Sequence, residues 1–346
     1  MTRRVLVARL DAAGDVLLAG PAIRAIAARA DEVWLLCGPR GAEAAALLPG
    51  VDELRVWSSP WIDHPAPAAD GRAMRALRAI LRECRPDEAV ILTSDHQSPL
   101  PLALCLREAG VPLIAGASVD YAGSLLDVRL RPGEDFPEEV PEPVRALHIA
   151  AAAGFPLPAG DDGLLRIAEP GEPLEPADVV VHPGGAAPAR RASAGLLAEV
   201  VARLAARGLR VAVTGGPDER ALTARVAGSH GIDLGGRTSL RGLAAQLRAA
   251  RAVVVGNTAA AHLAAAVGTP VVSLFSPVVP AARWAPYGVP VELLGDQAAP
   301  CRLSRARACP IPGHPCLDDL RPDDVVAACQ RLAAAAPGRA TEEARA

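Results

Sequence analysis

Arg4-Val5-Leu6-Val7-Ala8-Arg9-Leu10, then Asp11-Ala12-Ala13-Gly14-Asp15, then Val16-Leu17-Leu18-Ala19-Gly20-Pro21-Ala22, stands near the start of the chain and decides how the rest is read. The first run is short and mostly apolar, as an extended strand requires. A small acidic turn follows, and the apolar spacing then predicts a helix over residues 17–30. The same handover recurs: strands are predicted at 33–37, 54–57, 89–93 and 112–115, and helical stretches at 42–48, 72–84 and 99–109. Strands separated by helices of about 10–15 residues need crossover connections, and therefore a parallel sheet.

A stretch rich in Pro, Glu and Gly, residues 132–176, interrupts this pattern with one helical piece at 144–153. The alternation then resumes, with strands at 178–182, 210–214, 232–234, 252–256 and 271–274 and helices at 194–207, 220–227, 240–250, 259–267 and 322–335. The chain has 346 residues, more than one hydrophobic core usually serves. The expected fold class is α/β, in two doubly wound parallel-sheet domains over 1–170 and 177–321, with 169–176 as linker and 337–346 a frayed tail.

Composition narrows the function. The 36 basic and 39 acidic residues are interspersed, for a net charge of −3, so nucleic acid is not an expected partner. None of the basic residues is a lysine, which excludes Schiff-base and P-loop chemistry. The N-terminal apolar run is too short for a signal segment and is broken by Arg9, and no apolar stretch approaches the roughly 18 residues of a membrane span. A cytoplasmic protein is expected, with the seven cysteines reduced. Cys301, Cys309 and Cys316, with His314, are spaced too widely for paired zinc knuckles and read as structural thiols.

Parallel sheets bind ligands at the carboxyl ends of their strands, so the chemistry is sought in the loops there. Asp15 sits at such a handover. It could cap the helix through its unpaired amides, or act as a base; Asp11, four residues earlier, is a rival base or an acceptor contact. The turn lacks the spaced glycines of a dinucleotide fingerprint. In the second half, Val253-Val254-Val255-Gly256-Asn257-Thr258-Ala259-Ala260-Ala261-His262 runs from strand into helix, a natural seat for an oxyanion. Thr258 and His262 fall on one helical face, although Asn257 could be only an N-cap and His262 only a core residue. The loop His182-Pro183-Gly184-Gly185 leads to Arg190 and Arg191, guanidiniums suited to phosphate or merely solvated. Gly215-Gly216-Pro217-Asp218-Glu219 is a third strand-to-helix loop. Asp95, His96 and Gln97, after the strand at 89–93, are candidates for binding an acceptor or for local capping.

In this order, these pieces resemble glycosyltransferase family 9, the bacterial heptosyltransferases, over most of the chain. The resemblance rests on residues 7–22 with Gly14-Asp15, the His182-Pro183-Gly184 loop, Val213-Thr214-Gly215-Gly216-Pro217-Asp218-Glu219, Leu234-Gly235-Gly236-Arg237-Thr238-Ser239-Leu240, Asn257 to His262, and Leu274-Phe275-Ser276-Pro277 with Arg283-Trp284. It implies a GT-B architecture of two Rossmann-like domains facing a cleft, with the acceptor bound by the first, the nucleotide sugar by the second, and the last helix, 322–336, returning to the first. It further implies an inverting, metal-independent transfer, without a resident cofactor, from an ADP-heptose donor, with Asp15 as general base. The donor would be held by Gly14, His182, Gly184, Gly185, Arg190, Arg191, Gly215, Gly216, Glu219, Asn257, Thr258, Ala259 and His262. Peripheral contact with the inner face of a membrane is compatible with it. The chain departs from the family where Asn257-Thr258-Ala259 replaces Asp-Thr-Gly, where no tryptophan follows Arg191, and where Asp11 stands at a position often held by serine. A nucleotide-sugar epimerase or hydrolase, and a non-catalytic nucleotide-sugar-binding protein, are the competing readings.

Overall fold

Val5, Leu6 and Val7 have no exposed surface, and helices cover both faces of the sheet they centre. The computed structural model describes residues 2–94 and 97–335. It divides into two units that part between Glu169 and Pro170. The first runs β1 (Arg4–Arg9), α1 (Ala13–Leu18), α2 (Gly20–Ala27), β2 (Glu32–Cys37), α3 (Ala42–Ala45), β3 (Glu53–Val56), α4 (Gly71–Cys84), β4 (Glu88–Ile91), α5 (Leu100–Glu108), β5 (Leu113–Ala117), β6 (Val128–Leu130) and α6 (Glu142–Ala152). Its six strands are parallel, in the order β3-β2-β1-β4-β5-β6.

The second unit runs β7 (Val179–His182), α7 (Ala194–Ala205), β8 (Val211–Val213), α8 (Arg220–Ala227), β9 (Ile232–Asp233), α9 (Leu240–Ala249), β10 (Ala252–Gly256), α10 (Ala259–Ala266), β11 (Val271–Leu274), α11 (Ala281–Trp284), β12 (Val291–Leu294), α12 (Pro315–Asp318) and α13 (Pro322–Ala335). Its parallel sheet has the order β12-β11-β10-β7-β8-β9. Counted within each unit, the two orders are the same, 3-2-1-4-5-6, so each unit has one switch point where strand order reverses: β1 against β4, and β7 against β10.

Two features depart from the sequence reading. The first helix starts at Ala13 rather than near 17, which brings Gly14 and Asp15 into its first turn, and it breaks at Ala19. Pro21 explains the break, because it donates no amide and its ring clashes with the preceding turn. β6 and β12 were not anticipated: both are short edge strands, only partly buried, whose residues lack a strong apolar run. The last helix, α13, buries Val325, Val326, Ala328, Cys329 and Leu332 in the core of the second unit, with α7 and the sheet.

The expected linker is also tied down. Arg24 of α2 holds Asp161 at 2.7 Å, and the Ala168 amide donates to the Leu47 carbonyl, so the residues before the boundary belong to the first unit. The Glu175 amide donates to Oε1 of the fully buried Gln246 at 3.2 Å, which anchors the residues after it to the second.

Candidate functional site

At the first switch point, β1 ends in a buried arginine after the apolar run Val5 to Ala8. Arg9 is 3% exposed and is surrounded by acids. Its Nε lies 3.0 Å from Asp11 Oδ2, its Nη2 donates to Asp15 Oδ1 at 3.1 Å and to Ser94 Oγ at 2.8 Å, and Glu142 Oε2 is 3.8 Å away. Burial opposes the charge on Arg9, but Asp11, Asp15 and Glu142 outweigh it and hold the guanidinium above its ordinary range. A buried arginine with paired carboxylates is stable only as a connected set, which fixes the positions of all its members.

Within this set the two aspartates differ. Asp11 is 5% exposed; burial pushes its carboxyl up to about 6, against the pull of Arg9, and Gln97 Nε2 donates to its Oδ1. Asp15 keeps 25% of its side chain exposed, and Ser94 Oγ donates to it at 3.4 Å. It makes no capping bond to its own helix, for Ala12 is the N-cap and no side chain caps α1. Asp15 lies in the first turn of α1, where its charge also suits the helix N-terminus. Asp15 offers a fixed, solvent-reachable carboxylate oxygen.

The second switch point is built from backbone. Glu219 joins two glycine turns: Oε1 accepts from the Gly185 amide and Oε2 from the Gly216 amide, each at 2.9 Å. Burial disfavours its charge, but the Gly216 and Gly185 amides, His182 and Arg191 bring its carboxyl below the ordinary range. A side chain on Gly184 would start 2.2 Å from the Glu219 carboxylate, and one on Gly185 would lie 2.6 Å from Thr258 Cγ2, so only glycine lets this turn press against α10. Arg191 Nε donates to the Gly185 carbonyl at 2.5 Å. A methyl on Gly256 would meet the Arg190 carbonyl oxygen at 2.6 Å, which places that backbone beside the end of β10. Gly215 packs against Thr223 in the same close manner.

Thr258, not Asn257, is the N-cap of α10, and its side chain makes no cap bond. Asn257 Nδ2 and Thr258 Oγ1 are buried without a hydrogen-bond partner in the protein. With the amides of Ala259 and Ala260, which an α-helix leaves unpaired, they make a positive N-terminus open to an anion. His262, 4% exposed, lies one turn further along. Burial holds the His182 imidazole below its ordinary range although Glu219 opposes this, and its Nδ1 meets Thr214 Oγ1 at 3.0 Å.

Thus the structure brings Asp11, Asp15 and Gln97 together in one unit, and Gly184, Gly185, Gly216, Glu219, Arg191 and Thr258 in the other. Asp95 and His96, expected on the acceptor side, lie outside the described residues. The sequence reading missed Arg9 and Ser94 as partners of Asp15, and Glu142 as a further acid beside Arg9. A charged residue inside a buried strand was the available signal for Arg9, since isolated buried charges are avoided. Among the described residues, no three His, Cys, Asp or Glu side chains come together as a metal site, and no helix is long and apolar enough to cross a membrane. Cys301 and Cys316 are buried in the second core, with Cys309 packed against it.

Residues 173–313 match the family described as glycosyltransferase family 9 (heptosyltransferase). Lipopolysaccharide heptosyltransferase 1 of Pseudomonas aeruginosa is 30% identical over 330 residues, covering 86% of each chain. Among solved structures, the glycosyl transferase family 9 protein of Veillonella parvula superposes with a TM-score of 0.75 at 17% identity, over 96% of this chain and 97% of that one. The E. coli heptosyltransferase WaaC with ADP superposes with a TM-score of 0.72 at 18% identity, over 95% and 99%. These likenesses establish a shared GT-B fold.

Proposed function

The chain belongs to glycosyltransferase family 9 and is a glycosyltransferase; from that premise we propose that it moves a heptose or related sugar from an ADP-sugar to a hydroxyl of a glycan, glycolipid or small-molecule acceptor, with inversion and without a metal ion. The observation that carries this reading is Asp15, a carboxylate held by Arg9 and Ser94 and partly exposed.

In the proposed reaction Asp15 accepts the proton of the acceptor hydroxyl as that oxygen bonds to the anomeric carbon. The bond from that carbon to the diphosphate oxygen breaks on the opposite face, which inverts the centre. The leaving nucleoside diphosphate gains negative charge, and the α10 N-terminus with Arg191 supplies preorganised positive partners for it. Asp11 is the poorer candidate for base because its oxygens already face Gln97 and Arg9 in a buried position. Its expected part is to hold Arg9.

The preference for an ADP-sugar is supported by two relatives: one solved with ADP, and one named as a lipopolysaccharide heptosyltransferase. The test is to incubate the purified enzyme with ADP-heptose, with and without a panel of glycan and glycolipid acceptors, and to determine the anomeric configuration of the product by NMR. Transfer that inverts the configuration and persists in EDTA is expected. Donor turnover without any acceptor would instead favour a hydrolase or epimerase, and a retained configuration would remove the single-base mechanism.

A further inference from the structure

The segment 301–309, Cys301-Arg302-Leu303-Ser304-Arg305-Ala306-Arg307-Ala308-Cys309, carries three arginines and no acid. It runs along the carboxyl-end rim of the second sheet. The Leu303 amide donates to the Pro277 carbonyl at 2.9 Å and the Arg305 amide to the Val278 carbonyl at 2.8 Å, in the loop after β11; the Arg307 carbonyl accepts from the Ala189 amide at 2.9 Å. Cys301, buried in the core, and Cys309, packed against it, anchor the two ends. Those thiols therefore serve a positional purpose: they pin an arginine-bearing belt across the rim.

The belt delivers one guanidinium to the glycine turn. Arg307 is exposed, and its Nη2 donates to the Ala186 carbonyl at 3.3 Å, while Arg191 Nε donates to the neighbouring Gly185 carbonyl at 2.5 Å. Two guanidiniums thus grip consecutive carbonyls of the turn whose Gly185 abuts Thr258, the N-cap of α10. Planar guanidiniums match phosphate oxygens with paired N–H donors, and a helix N-terminus adds a third positive element to the same place. A nearby acid, Glu219, is already engaged by two backbone amides.

We infer that Arg307, presented by the cysteine-anchored belt, is a second arginine of the donor site and contacts the diphosphate of the nucleotide sugar beside Arg191. This rests on the nucleotide-sugar reading above. It adds a residue remote in sequence from every loop that the sequence reading linked to the donor.

Calorimetric titration with ADP, GDP and UDP, and with the corresponding monophosphates, tests it on wild type, Arg307→Gln and Arg302→Gln. The best diphosphate should bind Arg307→Gln about tenfold more weakly, the loss expected for one charge-assisted contact, while its monophosphate changes less than twofold. Arg302→Gln removes the same charge from the same belt and should bind as wild type does. Equal diphosphate affinity in Arg307→Gln and wild type overturns the inference, as does an equal loss in Arg302→Gln, which would mark a general charge effect. Failure of wild type to bind any of the diphosphates would instead overturn the nucleotide-sugar reading, and the inference with it.

Discussion

The two switch points occupy equivalent places in two sheets of the same strand order, yet they are built from different materials. Between β1 and β4 the space is filled by side chains, with Arg9, Asp11, Asp15, Ser94 and Gln97 joined in one partly buried network. Between β7 and β10 it is filled by glycine backbone, an uncapped helix end and arginines that grip carbonyls. Topology alone therefore delivers a rim, and the residues on it decide the chemistry. A proton acceptor needs one carboxylate oxygen fixed in place, which a buried ion network provides. A diphosphate needs close approach to amides, which a side chain at Gly184 or Gly185 would block.

The contrast is broken most forcefully at Asp15. Replacing it with alanine should lower the transfer rate by about 10³-fold, within the range ascribed to general bases, at an unchanged melting temperature and unchanged ADP affinity. Asp11→Asn should lower the rate less. If Asp11→Asn proves the more damaging in steady-state assays, the roles of the two carboxylates are reversed.

A smaller effect is expected from Gly184→Ala at the second switch point. The new methyl displaces the Glu219 carboxylate from the Gly185 and Gly216 amides, which should cost about 1–3 kcal/mol in urea unfolding and raise the donor KM. Because both changes act through one contact, Gly184→Ala combined with Glu219→Ala should be little worse than Glu219→Ala alone. Additive losses in that double-mutant cycle would show that the glycine is needed for some other reason.

The last effect concerns pH. Asp11 has its folded value raised from 3.8 to about 6, so between roughly pH 4 and 6 the folded chain holds this proton more tightly than the unfolded one. The stability contributed by that proton is full at the acidic end and is lost as pH rises through about 6, with a slope of at most about 1.4 kcal/mol per pH unit. Urea unfolding of wild type and Asp11→Asn across this range should reveal the slope as a difference between the two. Parallel curves would mean that Asp11 does not titrate there.

Much of this was legible beforehand. Strand after strand was marked by short apolar runs, because a parallel strand covered on both faces must be apolar throughout, and Gly14-Asp15, Gly184-Gly185 and Asn257-Thr258 stood at handovers where such sheets bind ligands. Helix starts were less legible: Ala12-Ala13 carries no capping signal, so the helix holding Asp15 was read as starting four residues late. Edge strands such as β12 were missed because half-exposed residues do not repeat with a clear period.

By itself, then, the sequence determined the fold class, the division into two units and the strand-to-helix loops where such sheets bind ligands, since all three follow from local periodicity and turn composition. Only the tertiary structure decided which groups meet. Arg9 and Ser94 are 85 residues apart and Arg307 lies 121 residues beyond Ala186, and their contacts arise from sheet order and loop packing, which no local pattern encodes. The difference in exposure between Asp11 and Asp15 arises in the same way, because burial, and not residue type, separates two aspartates four positions apart.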